Sequence, residues 1–290
     1  MADITEQIRM ADEEFRLLRQ LVYEYCGIFF QDDIRYIFEK RLAARLQQQG
    51  LCSFGDYYRF LRHSPQRAKE LEQIVDLLTT NETYFFREAY QLKAFTDEIL
   101  PEIIERRSAQ KRLRVWSAGC SSGEEAYTIA MLLIEKQELK GWNLEVFAND
   151  ISRRMIQAAR RGVYAKSSFR AIDEYFWKKY FRPIDGRWQI VDEVKALVSF
   201  GHLNLLDQEM LELIGAVDVI FCRNVLIYFD KASRVKVVKT FYQKLEPGGY
   251  LLLGHSESLL NVSTDFELVH LKNDMVYRKT QLEGKEGKQK

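Results

Sequence analysis

Leu113-Arg-Val-Trp-Ser-Ala-Gly-Cys-Ser-Ser-Gly-Glu-Glu-Ala-Tyr127 is the stretch on which the fold turns. Leu113, Val115 and Trp116 read as a buried strand, entered from the charged run Arg106, Arg107, Lys111 and Arg112. Ser117 to Gly123 contains only Ser, Ala, Gly and Cys, the composition of a tight turn. Glu124 and Glu125 then open a helix whose apolar stripe is Ile129, Leu132 and Leu133. Strand, small-residue turn and helix in that order predict the start of a βαβ unit. Small residues let the backbone approach a ligand closely, and the helix N-terminus offers unpaired N–H groups to it.

The turn is a poor phosphate cradle. A Walker loop needs Gly-Lys-Ser/Thr at the helix start, and here Gly123 is followed by two glutamates. The dinucleotide fingerprint is incomplete, since only Gly119 and Gly123 of its positions are glycine. Two carboxylates at the mouth would repel a pyrophosphate. They suit a ligand with an adenosine end, a cationic end and no phosphate, and S-adenosylmethionine is such a ligand. Acids in a first helical turn also simply favour the helix dipole, and the two glutamates alone leave both readings open.

Downstream of this stretch the pattern alternates. Leu144 to Ala148 predicts a second strand ending at Asn149-Asp150, and Ser152 caps a helix to Arg161. Residues 163–200 interrupt the alternation with dense aromatics (Tyr175, Phe176, Trp177, Tyr180, Phe181) and an Asp185-Gly186 hairpin signal before Trp188 to Val191, which predicts a small antiparallel insertion. Strands follow at Val198 to Leu203, Val217 to Cys222 and Tyr250 to Gly254. A helix at Ala232 to Leu245 is expected to stop at Pro247-Gly248-Gly249, and Phe266 to His270 with Met275 to Arg278 closes the sheet as an antiparallel pair. Three strands end on polar residues: Asp150, Asn204 and Asn224. Ligands of open α/β sheets sit at the carboxyl ends of strands, where an acid after the second strand can accept both ribose hydroxyls. Asp150 by itself serves equally well as a turn or cap residue. Cys120 and Cys222 near the same rim read as small packing residues, because no histidine lies beside them in sequence to make a nucleophile pair.

Upstream, residues 12–80 give helical signals and almost no strand signals. Phe15, Leu18, Val22 and Tyr25 precede a stop at Gly27, and a second helix is expected from Ile34 to Gln49 with Gly50 as its stop. A third begins at Ser53 with Asp56 placed as in a capping box, and a fourth follows Ser64-Pro65, read as a cap with proline at the first helical position. In the second helix Arg41 and Arg45 continue the line begun by Ile34 and Phe38. From Arg35 to Lys69 eight basic residues face two acidic ones, a local excess in a chain of net charge +1. Such a face suits an acidic partner, and it is also what a solvated face with snorkelling arginine stems looks like. Thr79 to Arg87 reads as a hinge. A helix from about Glu88 to Arg106 follows it, with Pro101 expected to kink or split it.

At 290 residues, 47% hydrophobic and 29% charged, the chain has room for two ordinary domains of a soluble globular protein. A net charge of +1 gives no global attraction to nucleic acid. Four scattered cysteines without a C-x-x-C pair and four histidines without H-x-x-x-H spacing make a metal centre and a disulfide framework poor expectations. The polar N-terminus reads as carrying no signal peptide, and no apolar run approaches membrane-spanning length, so a cytoplasmic protein is expected.

Five segments, LLTTNETYFFRE, VWSAGCSSGEEAYTIAM, FANDIS, FCRNVLIYFD and LLLGHSES, together resemble the bacterial chemotaxis receptor methyltransferase (CheR) family over roughly residues 12–280. The resemblance implies an α/β, Rossmann-like S-adenosylmethionine-dependent methyltransferase domain at 88–280, interrupted by the β insertion at 163–200. It implies an all-α N-terminal domain with the hinge at 1–87, and the polar composition of 281–290 reads as a disordered tail. It further implies that Asn81, Thr83 and Arg87 contact the methionine end of the cofactor, that Glu125 rather than Glu124 takes its ammonium, and that Asp150 holds the ribose. Asn204, Leu205, Asn224 and Val225 would frame the adenine and the sulfur, with Arg87 and Tyr228 nearest the chemistry. Tyr228 is also a plausible core aromatic beside Phe229. Arg41 and Arg45 would dock the helical methylation region of a receptor, and the hairpin tip at Ile184 to Arg187 looks short for binding a receptor tail. The implied activity is methyl transfer to receptor glutamates by a monomer. The competing readings are a non-catalytic S-adenosylmethionine sensor or scaffold, and a methyltransferase for RNA or a small molecule. The near-neutral charge and the acidic mouth weigh against RNA.

Overall fold

A computed structural model of the protein describes residues 8–280. Four helices come first: α1 (Asp12–Cys26), α2 (Arg35–Gln48, entered from a 3-10 turn at Asp32–Ile34), α3 (Phe54–His63) and α4 (Arg67–Leu78). They form where apolar residues recur at three- and four-residue steps, and Phe15, Leu18, Val22, Phe38, Tyr57, Leu61, Leu71 and Ile74 meet in one buried cluster. Ser53 caps α3 as expected, accepting the Asp56 N–H at 3.1 Å. The expectation for α4 is corrected. Ser64 Oγ accepts the Gln66 N–H at 3.1 Å, so Ser64-Pro65 makes a turn, and the helix starts only at Arg67.

Residues 79–88 lead into α5 (Ala89–Ala94), a π-helical segment (Phe95–Ile99) and α6 (Leu100–Arg106). Pro101 does not split this rod. Lacking an N–H, it cannot close the usual bond to the preceding turn, and the wider π turn just before it absorbs the mismatch.

The sheet region runs β1 (Arg112–Ala118), α7 (Glu124–Glu135), β2 (Asn143–Asp150) and α8 (Arg153–Arg161). The insertion follows: β3 (Val163–Tyr164), α9 (Glu174–Tyr180), β4 (Phe181–Ile184), β5 (Arg187–Ile190) and α10 (Asp192–Ala196). The main sheet resumes at β6 (Val198–His202), before the expected end of the insertion, and continues through α11 (Gln208–Glu212), β7 (Val217–Cys222), α12 (Lys231–Lys244), β8 (Leu245–Leu253), β9 (Phe266–His270) and β10 (Met275–Lys279). The Pro247-Gly248-Gly249 stop is a second correction: α12 passes directly into β8, which carries all three residues at an irregularity in its register with β7.

The seven main strands lie in the order β6-β2-β1-β7-β8-β10-β9, with β6 to β8 parallel and β10 and β9 antiparallel. The insertion is a separate three-stranded antiparallel sheet, order β3-β5-β4, closed at Asp185-Gly186 by two left-handed residues (φ 45° and 71°). The winding direction reverses between β1 and β7, and a crevice opens there beyond the strands' carboxyl ends. Strand residues alternate between two apolar clusters. Trp116, Ile220 and Leu251 join α12 and the N-terminal helices, while Val115, Val146 and Phe221 join α7 and the insertion.

The helical region is fastened across the crevice as a roof. Ile28 bridges to Phe229, the Phe29 N–H donates to Tyr228 O at 2.8 Å, and Asn204 Nδ2 donates to Tyr25 O at 2.7 Å. Among the described residues no helix is long and apolar enough to cross a membrane. The tail at 281–290 and residues 1–7 lie outside the described residues.

Candidate functional site

The glycine turn between β1 and α7 is held by β2. Asn149 O accepts the N–H groups of Gly119 and Cys120, both at 2.8 Å, and the Asn149 side chain accepts from Trp116 Nε1 at 2.7 Å. Gly119 sits at φ +78°, where a side chain would stand 2.4 Å from Val225 Cγ2. Gly123, at φ +92°, would meet Ala159 at 2.9 Å and the Phe200 ring at 3.1 Å. Both positions therefore require glycine, for its left-handed backbone and for want of space.

Asp150, at the end of β2, is buried. Its two oxygens accept the Ser121 N–H at 2.8 Å and the Ser152 N–H at 2.9 Å. It thus fills the turn role, and each oxygen keeps a lone pair that a ligand hydroxyl could use. Burial pushes its pKa up, against the pull of those amides.

The two adjacent glutamates point to different places. Glu125 lines the crevice, accepting from Ser117 Oγ at 2.7 Å and lying 3.4 Å from Arg223 Nη1. Glu124 turns toward the insertion, where Ser122 Oγ and Ser168 Oγ donate to it at 2.7 and 3.0 Å. Burial raises both carboxyl pKa values, and for Glu125 the Arg223 charge opposes the rise.

The hinge passes over the turn. Ser121 Oγ donates to Asn81 O at 3.2 Å, and Phe85 is locked by edge contacts with Tyr164 and Phe181 of the insertion. Phe86 and Glu88 adopt left-handed conformations (φ 58° and 55°), and between them Arg87 donates to Glu82 O at 3.1 Å. Arg223, at the end of β7, ties hinge to turn: Nη2 donates to Arg87 O at 2.5 Å and lies 3.0 Å from Glu88 Oε2.

One cavity of about 490 Å³ results, bounded by the turn, the hinge, the strand ends and the roof. Asn81, Thr83, Arg87, Glu125, Asp150, Asn204, Leu205, Asn224 and Val225 all line it, and so do Tyr228 and Arg41. Asn204 is placed there chiefly by structural bonds, to Tyr25 O and from the Leu206 N–H at 3.0 Å. Tyr228 is half-buried in a 3-10 turn (Leu226–Tyr228) at the wall, and burial raises its pKa. Burial likewise drives the Cys120 and Cys222 thiols well above their ordinary value, which keeps them neutral. Two polar atoms of cavity-lining residues, Arg223 Nε and Asn224 Oδ1, are buried without a partner among the described residues. One free donor, one free acceptor, a bare glycine floor at Gly119 and a carboxylate at each end fit an adenosyl amino acid.

Arg45, part-exposed near Arg41, is held in an ion pair. Its Nε and Nη2 bind Glu70 at 2.7 and 2.6 Å, and the same carboxylate takes Tyr57 OH at 2.6 Å and Gln49 Nε2 at 2.9 Å. Glu70 sits in the helical core and needs a counter-charge, so Arg45 turns inward to supply it. Arg41 stays exposed, donating to Leu77 O and Leu78 O at 3.1 and 3.0 Å at the cavity's edge. Sequence reasoning passed over Arg223 and Glu257. Both stand inside the quoted segments FCRNVLIYFD and LLLGHSES, so the signal was on the page without a role attached.

Two family descriptions match the chain: "CheR methyltransferase, all-alpha domain" over residues 13–79 and "CheR methyltransferase, SAM binding domain" over 81–275. Chemotaxis protein methyltransferase 2 of Vibrio cholerae is 38% identical over 275 residues, covering 94% of this chain and 95% of the relative. Chemotaxis protein methyltransferase 1 of Pseudomonas aeruginosa is 35% identical over 275 residues, covering 92% and 98%. The chemotaxis protein methyltransferase of Salmonella typhimurium is 35% identical over 272 residues, covering 92% and 91%.

Proposed function

Because this chain belongs to the CheR methyltransferase family, we propose that it transfers a methyl group from S-adenosylmethionine to glutamate side chains of chemotaxis receptors, giving glutamyl methyl esters and S-adenosylhomocysteine. The observation that carries this reading is the convergence of the nine expected cofactor residues, drawn from five separate segments, on one cavity. The non-catalytic sensor has no observation in its favour.

In this reading residues 1–87 supply docking and hinge, and 88–280 the transferase, acting as a monomer in the cytoplasm. Bound S-adenosylmethionine supplies a methyl group on a sulfonium, already a good leaving group. Glu125 receives the ammonium, Asp150 the ribose hydroxyls, and Gly119 with Leu205 and Val225 the adenosyl faces. Arg87 binds the cofactor's carboxylate with Asn81 and Thr83 beside it, and Asn204 and Asn224 complete the polar rim. The accepting glutamate needs no general base, because its free pKa of about 4.3 leaves it ionised at neutral pH. The protein's task is alignment, which contributes roughly 7–11 kcal/mol in favourable cases. Tyr228, which lines the cavity, sets the acceptor's approach by packing or by donating a hydrogen bond. Arg41 contacts the receptor's acidic helical region at the cavity edge, with Arg45 fixing the helix behind it.

Calorimetric titration with S-adenosylhomocysteine, followed by radiolabelled methyl transfer to a receptor cytoplasmic fragment, tests the proposal. Binding plus base-labile label on the receptor is the expected result. Binding without label on any receptor would sink the substrate assignment, and no binding would sink the site.

A further inference from the structure

Glu257 lies in the turn after β8, yet its carboxylate collects four backbone N–H groups. Oε2 accepts from Asn224 and Gly254, both at 2.7 Å, and Oε1 accepts from Val225 at 2.9 Å and Ile227 at 3.2 Å. Three of these donors belong to the loop that leaves β7 and carries two of the cofactor residues. The far end of that loop is tied by Arg234 Nε, which donates to Leu226 O and Phe229 O, both at 2.9 Å, and the end beside β7 is tied by Glu257. Asn224 is left-handed (φ 59°), and its internal bonds are the short-turn contacts of Tyr228 and Phe229 to Val225 O and Leu226 O. The same loop bears the roof, through the Phe29 N–H bond to Tyr228 O.

We propose that Glu257 is the positioning residue of the cofactor floor. Its carboxylate clamps the left-handed turn at Asn224 and so sets where the Val225 side chain meets Gly119. The proposal rests on the reading that Asn224 and Val225 touch the cofactor. Residue chemistry supports it. Four converging donors call for a group that only accepts, and an ionised carboxylate offers about four lone-pair sites. A glutamine would turn its own N–H₂ against two of the donors. Aspartate is shorter by a methylene and does not span the same four. Gly254 belongs to the device as well: a Cβ there would lie 2.7 Å from Glu257 Oε2 and 2.8 Å from Asn224 N.

The test compares wild type with E257Q and G254A in the intact protein, using S-adenosylhomocysteine for binding and a receptor fragment for turnover. For E257Q, the dissociation constant for S-adenosylhomocysteine and the KM for S-adenosylmethionine both rise about tenfold or more, as loss of one or two charge-assisted bonds implies. At saturating S-adenosylmethionine kcat stays within about threefold, because binding energy rebuilds the floor, and the KM for receptor does not move. G254A, which dislodges the clamp without removing its charge, gives the same split. Unchanged cofactor affinity with a lowered melting temperature would reduce Glu257 to a structural residue and overturn the proposal. A shift confined to the receptor KM would overturn it too. If neither variant folds, amide exchange in the wild type decides: protected Asn224, Val225 and Ile227 amides are expected without ligand, and rapid exchange there refutes the clamp. Wild type failing to bind S-adenosylhomocysteine would instead refute the function on which the proposal rests.

Discussion

Replacing Arg223 by methionine removes the charge at the junction of hinge and glycine turn while keeping most of the volume. The Arg223 side chain is 2% exposed, 3.0 Å from Glu88 and 3.4 Å from Glu125. At an effective dielectric of about 20, opposite charges at the longer of those separations attract by roughly 5 kcal/mol. Breaking a buried pair by deleting one partner costs about 3–5 kcal/mol in practice. Glu125 keeps Ser117 Oγ as a donor and Glu88 has some access to water, so the lower end applies, ~3 kcal/mol. At about 2–4 °C per kcal/mol that lowers the melting temperature by roughly 6–12 °C. The second effect falls on Glu125. Burial already raises its pKa and Arg223 opposes the rise, so the variant favours the protonated form further. A protonated Glu125 does not hold an ammonium. S-adenosylhomocysteine affinity in R223M therefore climbs with pH over a range where the wild-type affinity has levelled off.

The sign for folding follows from the same shift. A carboxyl with a raised folded pKa binds its proton more tightly in the folded state. Its contribution to stability is present below the unfolded value and is lost as pH rises through the folded one, over a wider span in R223M than in wild type. Calorimetric titrations and thermal melts over a pH series running upward from the ordinary carboxylate range read both effects. Wild-type affinity, pH profile and melting temperature in R223M would refute the role given to the guanidinium.

Asp150→Ala removes the proposed ribose acceptor and orphans two amides. Two hydroxyl-to-carboxylate bonds at ~1.5 kcal/mol each would make S-adenosylhomocysteine binding about a hundredfold weaker by calorimetry, while the loss of the Ser121 and Ser152 amide bonds falls on stability, and a change in affinity under about threefold would take Asp150 out of the site. Gly119→Ala places a methyl 2.4 Å from Val225 in a left-handed residue, so cofactor binding falls by about tenfold or more, with a stability loss of ~1–3 kcal/mol in a denaturant melt. Arg45→Glu sets a carboxylate against buried Glu70 and costs ~3 kcal/mol of stability, seen as a lower urea midpoint. Arg41→Glu, exposed, loses its bonds to the Leu77 and Leu78 carbonyls at a cost of about 1 kcal/mol, and keeps cofactor affinity while receptor methylation drops. Equal stability losses in the two variants would show that both arginines are structural.

Much of the fold was legible because its signals are local. The period of apolar residues separates α1 to α4 from the strands, the all-small turn at Ser117 to Gly123 stands out by composition, and Asp185-Gly186 declares its hairpin. Polar residues ending successive strands pointed to the crevice, since parallel strands deliver their carboxyl ends to one edge. The misplaced boundaries have equally local causes. Ser64-Pro65 serves equally as a helix start or a turn and took the turn, while the turn-forming Pro247-Gly248-Gly249 run was absorbed into β8 by its pairing with β7. The order of elements was thus determined by the sequence, and the cofactor residues around the cavity followed from the family resemblance, whereas the strand order and its reversal between β1 and β7 emerged only in the fold. Direction was decided by the tertiary structure. Adjacent residues of a helix point about 100° apart, so only packing turns Glu125 into the cavity and Glu124 behind it. Arg45 faces inward because Glu70, on another helix, is buried and must be neutralised. Arg223 and Glu257 matter through partners that are remote in sequence, up to 136 residues away for the Arg87 carbonyl, and no local pattern encodes a contact that exists only once the chain has closed on itself.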